Sequence, residues 1–204
     1  MKKAVVLLSG GLDSATVLFE AKREKFQPHC LIFNYGQRHK KEIQRAKKIA
    51  ESAGADYNVV KFQMPWKGSS LLDKSLKLPT RRVIDTGTIP STYVPGRNII
   101  FLSFAASFAE AIGARAIFIG ANAIDYSGYP DCRPEFFKAY QKMTAKGLKT
   151  GVQGKVIKIY APLINKTKAQ IIKMSIRLKA PYELTWSCYA GGRYPCGRCD
   201  SCLL

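Results

Sequence analysis

The chain has 204 residues, 47% of them hydrophobic, and carries 33 Lys and Arg against 14 Asp and Glu, a formal net charge of +19. That length and apolar fraction suffice for one α/β domain with a small appendage. No apolar run reaches about 18 residues, which excludes an ordinary membrane-spanning helix, and the N-terminus reads as a strand rather than a secretory leader. A cytoplasmic protein is therefore expected, with its six cysteines serving as metal ligands or free thiols rather than disulfides. The positive charge suits polyanionic partners such as nucleotides or RNA, but the lysines are spread along the chain and solubility accounts for them equally well.

Residues 4–8 form a short apolar run that reads as a buried parallel strand, and residues 15–21 continue as a helix. Between them lies Ser9-Gly10-Gly11-Leu12-Asp13-Ser14. Two glycines allow close backbone approach to a ligand, two serines add hydroxyls, and the helix that follows directs free N–H groups into the turn. This is an anion site, although a plain tight βα turn would also use two glycines. It lacks the lysine of a Walker A loop, the G-x-G-x-x-G spacing of a dinucleotide fingerprint and the G-x-S-x-G of a hydrolase elbow.

Further along, residues 28–34 predict a second strand, Tyr35-Gly36-Gln37 a turn, and 38–53 an amphipathic helix with Ile43, Ala46, Ile49 and Ala50 on one face. Gly54 ends that helix and residues 57–62 predict a third strand, so the order is βαβαβ and the sheet parallel. Residues 64–95 hold four prolines, two glycines and a Ser/Thr-rich run, and read as an active-site flap with one short helix near 69–72. Gly96-Arg97-Asn98 opens the most apolar helix, 99–112, stopped by Gly113. Residues 115–120 predict a fourth strand, which delivers residues 121–125 to the sheet edge where open α/β folds bind ligands. A loop over 126–134, a helix over 135–146, a flexible glycine-rich turn over 147–154 and a fifth strand over 156–160 follow. Thr167 caps a last helix reaching about residue 178.

Cys188, Cys196, Cys199 and Cys202 are spaced C-x7-C-x2-C-x2-C, with Gly191, Gly192, Pro195 and Gly197 supplying turns. Four thiolates in a short loop suit structural zinc in a closed tetrahedral shell. An iron–sulfur cluster and a redox-active pair are the competing readings, and zinc leads because nothing else in the chain suggests electron transfer. Cys30 lies in a core strand; Cys132, in a loop at the sheet edge, is a nucleophile or a bystander.

The Ser-Gly-Gly-Leu-Asp-Ser turn resembles the pyrophosphate loop of the N-type ATP pyrophosphatases. Together with Asn34-Tyr35-Gly36-Gln37-Arg38-His39, Tyr93-Val94-Pro95-Gly96-Arg97-Asn98, the segment 127–136 around Tyr129-Pro130-Asp131-Cys132-Arg133, and Thr185-Trp186-Ser187-Cys188-Tyr189, it resembles the 7-cyano-7-deazaguanine synthase family over the whole chain. The resemblance implies an open, mainly parallel five-stranded sheet with helices on both faces, of the adenine nucleotide α-hydrolase-like kind, over residues 1–180. A cysteine-rich zinc-binding tail would occupy 181–204.

The implied activity is an ATP-dependent ligase that converts 7-carboxy-7-deazaguanine and ammonia to the nitrile in queuosine or archaeosine biosynthesis. It proceeds through an adenylated carboxylate and an adenylated amide. Implied ATP contacts are Leu8, Ser9, Gly10, Gly11, Leu12, Asp13, Ser14, Ala15, Thr16, Val17 and Leu18, with Mg²⁺ accompanying ATP and Asp13 a candidate to help hold it. Ser9, Asp13, Ser14, Arg97 and Lys166 are the catalytic candidates, Arg97 and Lys166 as phosphate clamps. Asp125, Tyr129, Asp131 and Arg133 are the candidates for reading the deazaguanine substrate, and His39 is an acid/base or merely a packed histidine. A homodimer is the family expectation, and direct RNA binding is not required. The rivals are a tRNA-modifying adenylating enzyme of the thiolase or lysidine synthetase type, an amidating ligase, and a non-enzymatic zinc module that binds RNA.

Overall fold

The computed structural model describes residues 1–81, 88–122 and 128–203. Five strands, β1 (Lys2–Leu7), β2 (Phe26–Asn34), β3 (Asp56–Lys61), β4 (Ala116–Phe118) and β5 (Lys158–Tyr160), form one sheet in the order β3-β2-β1-β4-β5. Every pairing is parallel, with Val5 opposite His29 on one side and Ile117 on the other. The helices are α1 (Leu12–Arg23), α2 (Lys41–Ser52), α3 (Arg97–Ala111), α4 (Pro134–Gly147), α5 (Lys149–Val152), α6 (Lys168–Arg177) and α7 (Asp200–Leu203).

Side-chain alternation along the central strands builds two cores. Val5, Leu7, Leu31, Phe33 and Ile117 point to one face and pack with Leu102, Ala105 and Ala109 of α3 and Phe137 and Tyr140 of α4. Ala4, Val6, Cys30, Ile32 and Phe118 point to the other and pack with α1, α2 and Ile171 of α6. A strand buried on both faces must be apolar throughout, which is why β1 reads as a run rather than an alternation. On the α3 side the ring of Phe33 lies parallel to that of Phe101 at 4.1 Å between centroids, with Phe62 edge-on to both.

Besides shifts of one or two residues at strand and helix ends, the chain departs from its sequence pattern in three places. Helix α2 begins at Lys41 rather than residue 38. The Arg38 guanidinium is drawn away to donate to the carbonyls of Ser70 (2.6 Å), Asp73 (3.0 Å) and Leu76, while its own N–H donates to Leu71 O. The expected short helix at 69–72 is a turn held by those bonds and by Leu72 and Asp73 N–H donating to Ser69 O. The glycine-rich stretch 147–154 contains α5, because Glu110 Oε1 accepts from both the N–H (2.8 Å) and the hydroxyl (3.0 Å) of Thr150 and fixes it. The capping box at Thr167 is as the sequence indicates, with Gln170 N–H donating to its hydroxyl and the Gln170 side chain accepting from Thr167 N–H.

In this strand order the connections leave the sheet in opposite directions from β1 and β4. The crevice outside their C-terminal ends is the place where such sheets bind ligands. Leu102, fully buried between α3 and the sheet, sets the position of that crevice's wall. Leu102→Ala is expected to lower unfolding stability by about 2–5 kcal/mol, read as a reduced midpoint in urea.

Candidate active site

A cleft of about 420 Å³ occupies this crevice, lined by the β1–α1 turn, the β2–α2 turn, the start of α3, the end of β4, Lys168 of α6 and the segment 186–189. Leu8, Ser9, Gly11, Leu12, Asp13 and Ser14 face it. The Ser14 hydroxyl donates to Gly11 O (3.0 Å) and accepts from Ser9 N–H (3.2 Å) and the Ser9 hydroxyl (3.0 Å), so the two serines hold the turn in an arc. Gly11 is the N-cap of α1 and no side chain caps the helix, so its first N–H groups remain available to an anion.

Gly10 faces away from the cleft at φ +91°, and a Cβ there would lie 2.3 Å from Glu42 O and 2.9 Å from Ala46 N. Gly120, two residues past β4, is close as well, since a Cβ would stand 3.1 Å from Ser14 N. Ala15, Thr16, Val17 and Leu18 are buried inside α1 and support the turn rather than line the cleft.

The charged groups of the cleft are arranged in two sets. Asp13 accepts from the Lys168 ammonium at 2.9 and 3.0 Å and from the Asn122 amide. Opposite, Arg97 donates to the Tyr35 hydroxyl at 3.5 Å. Burial works against its charge, but the phenols of Tyr35, Tyr129 and Tyr189 outweigh burial and hold its pKa above the ordinary value, so it is a fixed cation. Glu42, in the first turn of α2, also faces the cleft; burial pushes its carboxyl up to about 7, against the pull of Arg97. The tyrosine hydroxyl of Tyr129 bonds Thr92 Oγ1 at 2.8 Å, and its ring lies 5.8 Å from that of Tyr93.

The structure thus brings together Ser9, Asp13, Ser14, Arg97 and Tyr129. It does not bring in Lys166, which lies off the cleft; the lysine beside Asp13 is Lys168, at the first turn of α6. Arg133 is exposed at the start of α4 and outside the cleft. Asp131 is buried and accepts from Asn98 N–H at 2.9 Å, which caps α3. Asp125 lies outside the described residues. Cys132 is buried with its sulfur 3.1 Å from the Asn98 amide, and Cys30 is buried with its thiol pushed up to about 12.

His39 does not line the cleft: it packs on Gly191, where a Cβ would lie 2.6 Å from its ring, and burial lowers its pKa. Glu42, Tyr35, Asn122 and Lys168 escaped the sequence reading. Tyr35 belongs to the 34–39 segment that carries the resemblance, Glu42 lies three residues beyond it in α2, and Lys168 directly follows the recognised cap.

The four cysteine sulfurs of the tail all lie within 4.8 Å of one another. A tetrahedral metal with bonds of about 2.3 Å to sulfur sets its ligands roughly 3.8 Å apart, so the four can hold a metal ion. Cys196 N–H donates to Cys188 Sγ and Cys199 N–H to Cys196 Sγ, both at 3.3 Å, which favours thiolates. The tail is tied to the phosphate turn: Trp186 N–H donates to Gly10 O at 2.9 Å, and the Trp186 indole donates to Cys188 O at 3.0 Å. The Lys41 ammonium sits 3.5 Å from the Trp186 ring and bonds the carbonyls of Gly192 and Arg193.

A parallel sheet with a glycine–serine turn opening a helix at its switch point, beside Arg97 and Lys168, has the form of a nucleotide-binding α/β fold. The fold is shared with the NMN synthetase of Francisella tularensis, at a TM-score of 0.56 and 14% identity over 96% of this chain and 71% of that one. The family described as "Queuosine biosynthesis protein QueC" matches residues 3–204, and the chain belongs to that family. Its relatives include the 7-cyano-7-deazaguanine synthase of Nostoc punctiforme, 52% identical over 99% of this chain and 92% of the relative. That of Thermoplasma acidophilum is 52% identical over 100% and 85%.

Gly10→Ala is expected to weaken ATP binding and cost roughly 1–3 kcal/mol through its positive φ and the collision with α2, read by isothermal titration and thermal melting. The raised Glu42 carboxyl predicts a pH effect of defined sign. Protonation favours the folded chain, so this contribution is full below 4.5 and is lost as pH rises through about 7. Glu42→Gln removes it, so the melting temperature of the variant should gain on that of the parent across that window.

Proposed function

We propose that this chain joins 7-carboxy-7-deazaguanine to ammonia and dehydrates the product to 7-cyano-7-deazaguanine, consuming two ATP. The observation that carries the reading is the match to the QueC family over residues 3–204, with the Ser9–Ser14 turn opening on the crevice at the switch point of the sheet. The substrate carboxylate attacks the α-phosphate of ATP and pyrophosphate leaves; ammonia then displaces AMP to give the amide. A second adenylation on the amide oxygen permits loss of AMP and formation of the nitrile.

Each adenylation builds charge on departing pyrophosphate. The Ser9–Ser14 turn, the uncapped start of α1 and Lys168 are placed to accept it, because preorganised donors act without reorganising. Arg97 fits the role of an anion clamp on the α3 side, and the Tyr129 ring a flat contact for the deazaguanine. Mg²⁺ bound with ATP would supply further charge neutralisation, for which Asp13 is the carboxylate at hand.

The four-thiolate set fits zinc, closed to water and therefore structural. Residues 181–204 then form a metal-ordered appendage to the ATP-binding domain, and 64–95, of which 82–87 lie outside the described residues, an active-site flap. Cytoplasmic placement and free ammonia belong to the same reading. So does a homodimer, for which the apolar outer face of α3 at Ile99 and Phe104 is the surface to test.

The net charge of +19 favours one second reading, adenylation of a tRNA nucleoside. Purified protein given 7-carboxy-7-deazaguanine, ATP, Mg²⁺ and an ammonium salt is expected to yield the nitrile by mass spectrometry with two AMP per product. AMP formed only when tRNA is added would support the second reading. Chelation of the bound metal is expected to release about one zinc per chain and to lower the melting temperature, since metal binding is folding energy here.

A further inference from the structure

The proposed reaction has a requirement that the phosphate turn does not meet. Ammonia enters carrying three hydrogens and ends as a nitrile nitrogen carrying none, so three protons must be removed at the acyl carbon's nitrogen. The cleft contains two carboxyl groups among the described residues, Asp13 and Glu42, and no histidine. Asp13 is occupied by Lys168 and Asn122. His39 is turned to the cysteine tail, and the Cys132 thiol faces the Asn98 amide. Glu42 differs from all of these. It faces the cleft and no hydrogen bond from a described residue occupies its oxygens. Its backbone is pinned by the contact with Gly10, so its position relative to the phosphate turn is fixed.

We propose that Glu42 is the general base that takes the protons shed as ammonia becomes the nitrile nitrogen. The inference rests on the synthase reading. In the first cycle nitrogen adds to the acyl carbon of the adenylate. Glu42 accepts one N–H proton, the carbonyl re-forms, and the C–O bond to AMP breaks with its electron pair leaving on AMP. In the second cycle adenylation of the amide oxygen leaves a protonated imidate. Glu42 removes one N–H proton from it and then the last, as the nitrogen electrons form the third C–N bond and the C–O bond to AMP breaks. Between removals the carboxyl returns its proton to water through the open cleft.

The surroundings suit that work. An acid in the first turn of a helix is ordinarily held ionised by the helix dipole, yet here burial overrides the dipole and sets the carboxyl near neutrality. The groups that face it are Arg97, whose charge opposes the effect of burial, and the phenol of Tyr35, with the Asp13–Lys168 pair across the cleft.

The test uses full-length, metal-loaded protein and follows two readouts, pyrophosphate release in the first turnover and nitrile formation. At constant free ammonia, Glu42→Gln is expected to slow nitrile formation by about 10²–10⁴-fold, with pyrophosphate release falling far less. It should also abolish the acid limb of kcat near neutral pH. Glu42→Ala with added formate should recover part of the lost rate, which a structural role would not allow. Nitrile formation by Glu42→Gln within threefold of the parent, or a retained acid limb, would overturn the proposal. So would a parallel loss of both readouts that raised Mg²⁺ restores, because Glu42 would then be a cation ligand. If the parent itself makes no nitrile, the synthase reading fails first, and the two failures are distinguished.

Discussion

The site depends on one atom that is absent. Residue 10 has no Cβ, and in that space lie the carbonyl of Glu42 and the amide of Ala46. The turn after β1 can therefore lie flat against the first turn of α2. That contact sets Glu42 at the mouth of the turn. It also leaves the Gly10 carbonyl facing outward, where Trp186 N–H caps it. Three stretches far apart in the chain meet at this point: the Ser9–Ser14 turn, residues 35–46 running from the Tyr-Gly-Gln-Arg-His segment into α2, and the entry to the cysteine tail. The middle stretch is the hub. Within a few residues it sends Tyr35 to Arg97, Arg38 to the loop around Ser70, His39 and Lys41 to the tail, and Glu42 to the cleft.

Electrostatics then divides roles that sequence alone makes look alike. Asp13 and Glu42 are both acids in the first turn of a helix. Asp13 is matched by a lysine and an amide, and Glu42 is desolvated. Burial alone moves the Glu42 carboxyl up, to about 7, and gives it acid–base chemistry near neutral pH. Arg97 is the counterpart: beside the phenols of Tyr35, Tyr129 and Tyr189 it keeps its charge whether or not an anion is bound.

The sheet was legible because its strands are apolar runs separated by glycine-terminated helices, and such runs have few alternatives once βαβ order is established. The phosphate turn and the cysteine tail were legible because their spacing is local. What escaped depends on long-range geometry. Lys168 rather than Lys166 meets Asp13 because Lys166 precedes the Thr167 cap and lies outside α6, whose first residue is Lys168. The exposure of Arg133 and the burial of Asp131 follow from Asp131 being recruited to cap α3. The start of α2 shifted because Arg38 spends its donors on three carbonyls of another segment, which no pattern within residues 38–53 records.

The strand order also governs when this protein can come into being on the ribosome. The first strand made, β1, is the middle strand of the sheet, and its Val5 finds one neighbour at His29 but the other only at Ile117. At about 5–20 residues per second of synthesis, an apolar edge waits for several seconds for its partner to be translated. The phosphate turn waits longer still, for Trp186. Until Ile117 is made the nascent chain carries an unpaired apolar strand edge, the kind of edge that pairs with other chains, and the β1–α1 turn gains its Trp186 contact only when most of the chain exists.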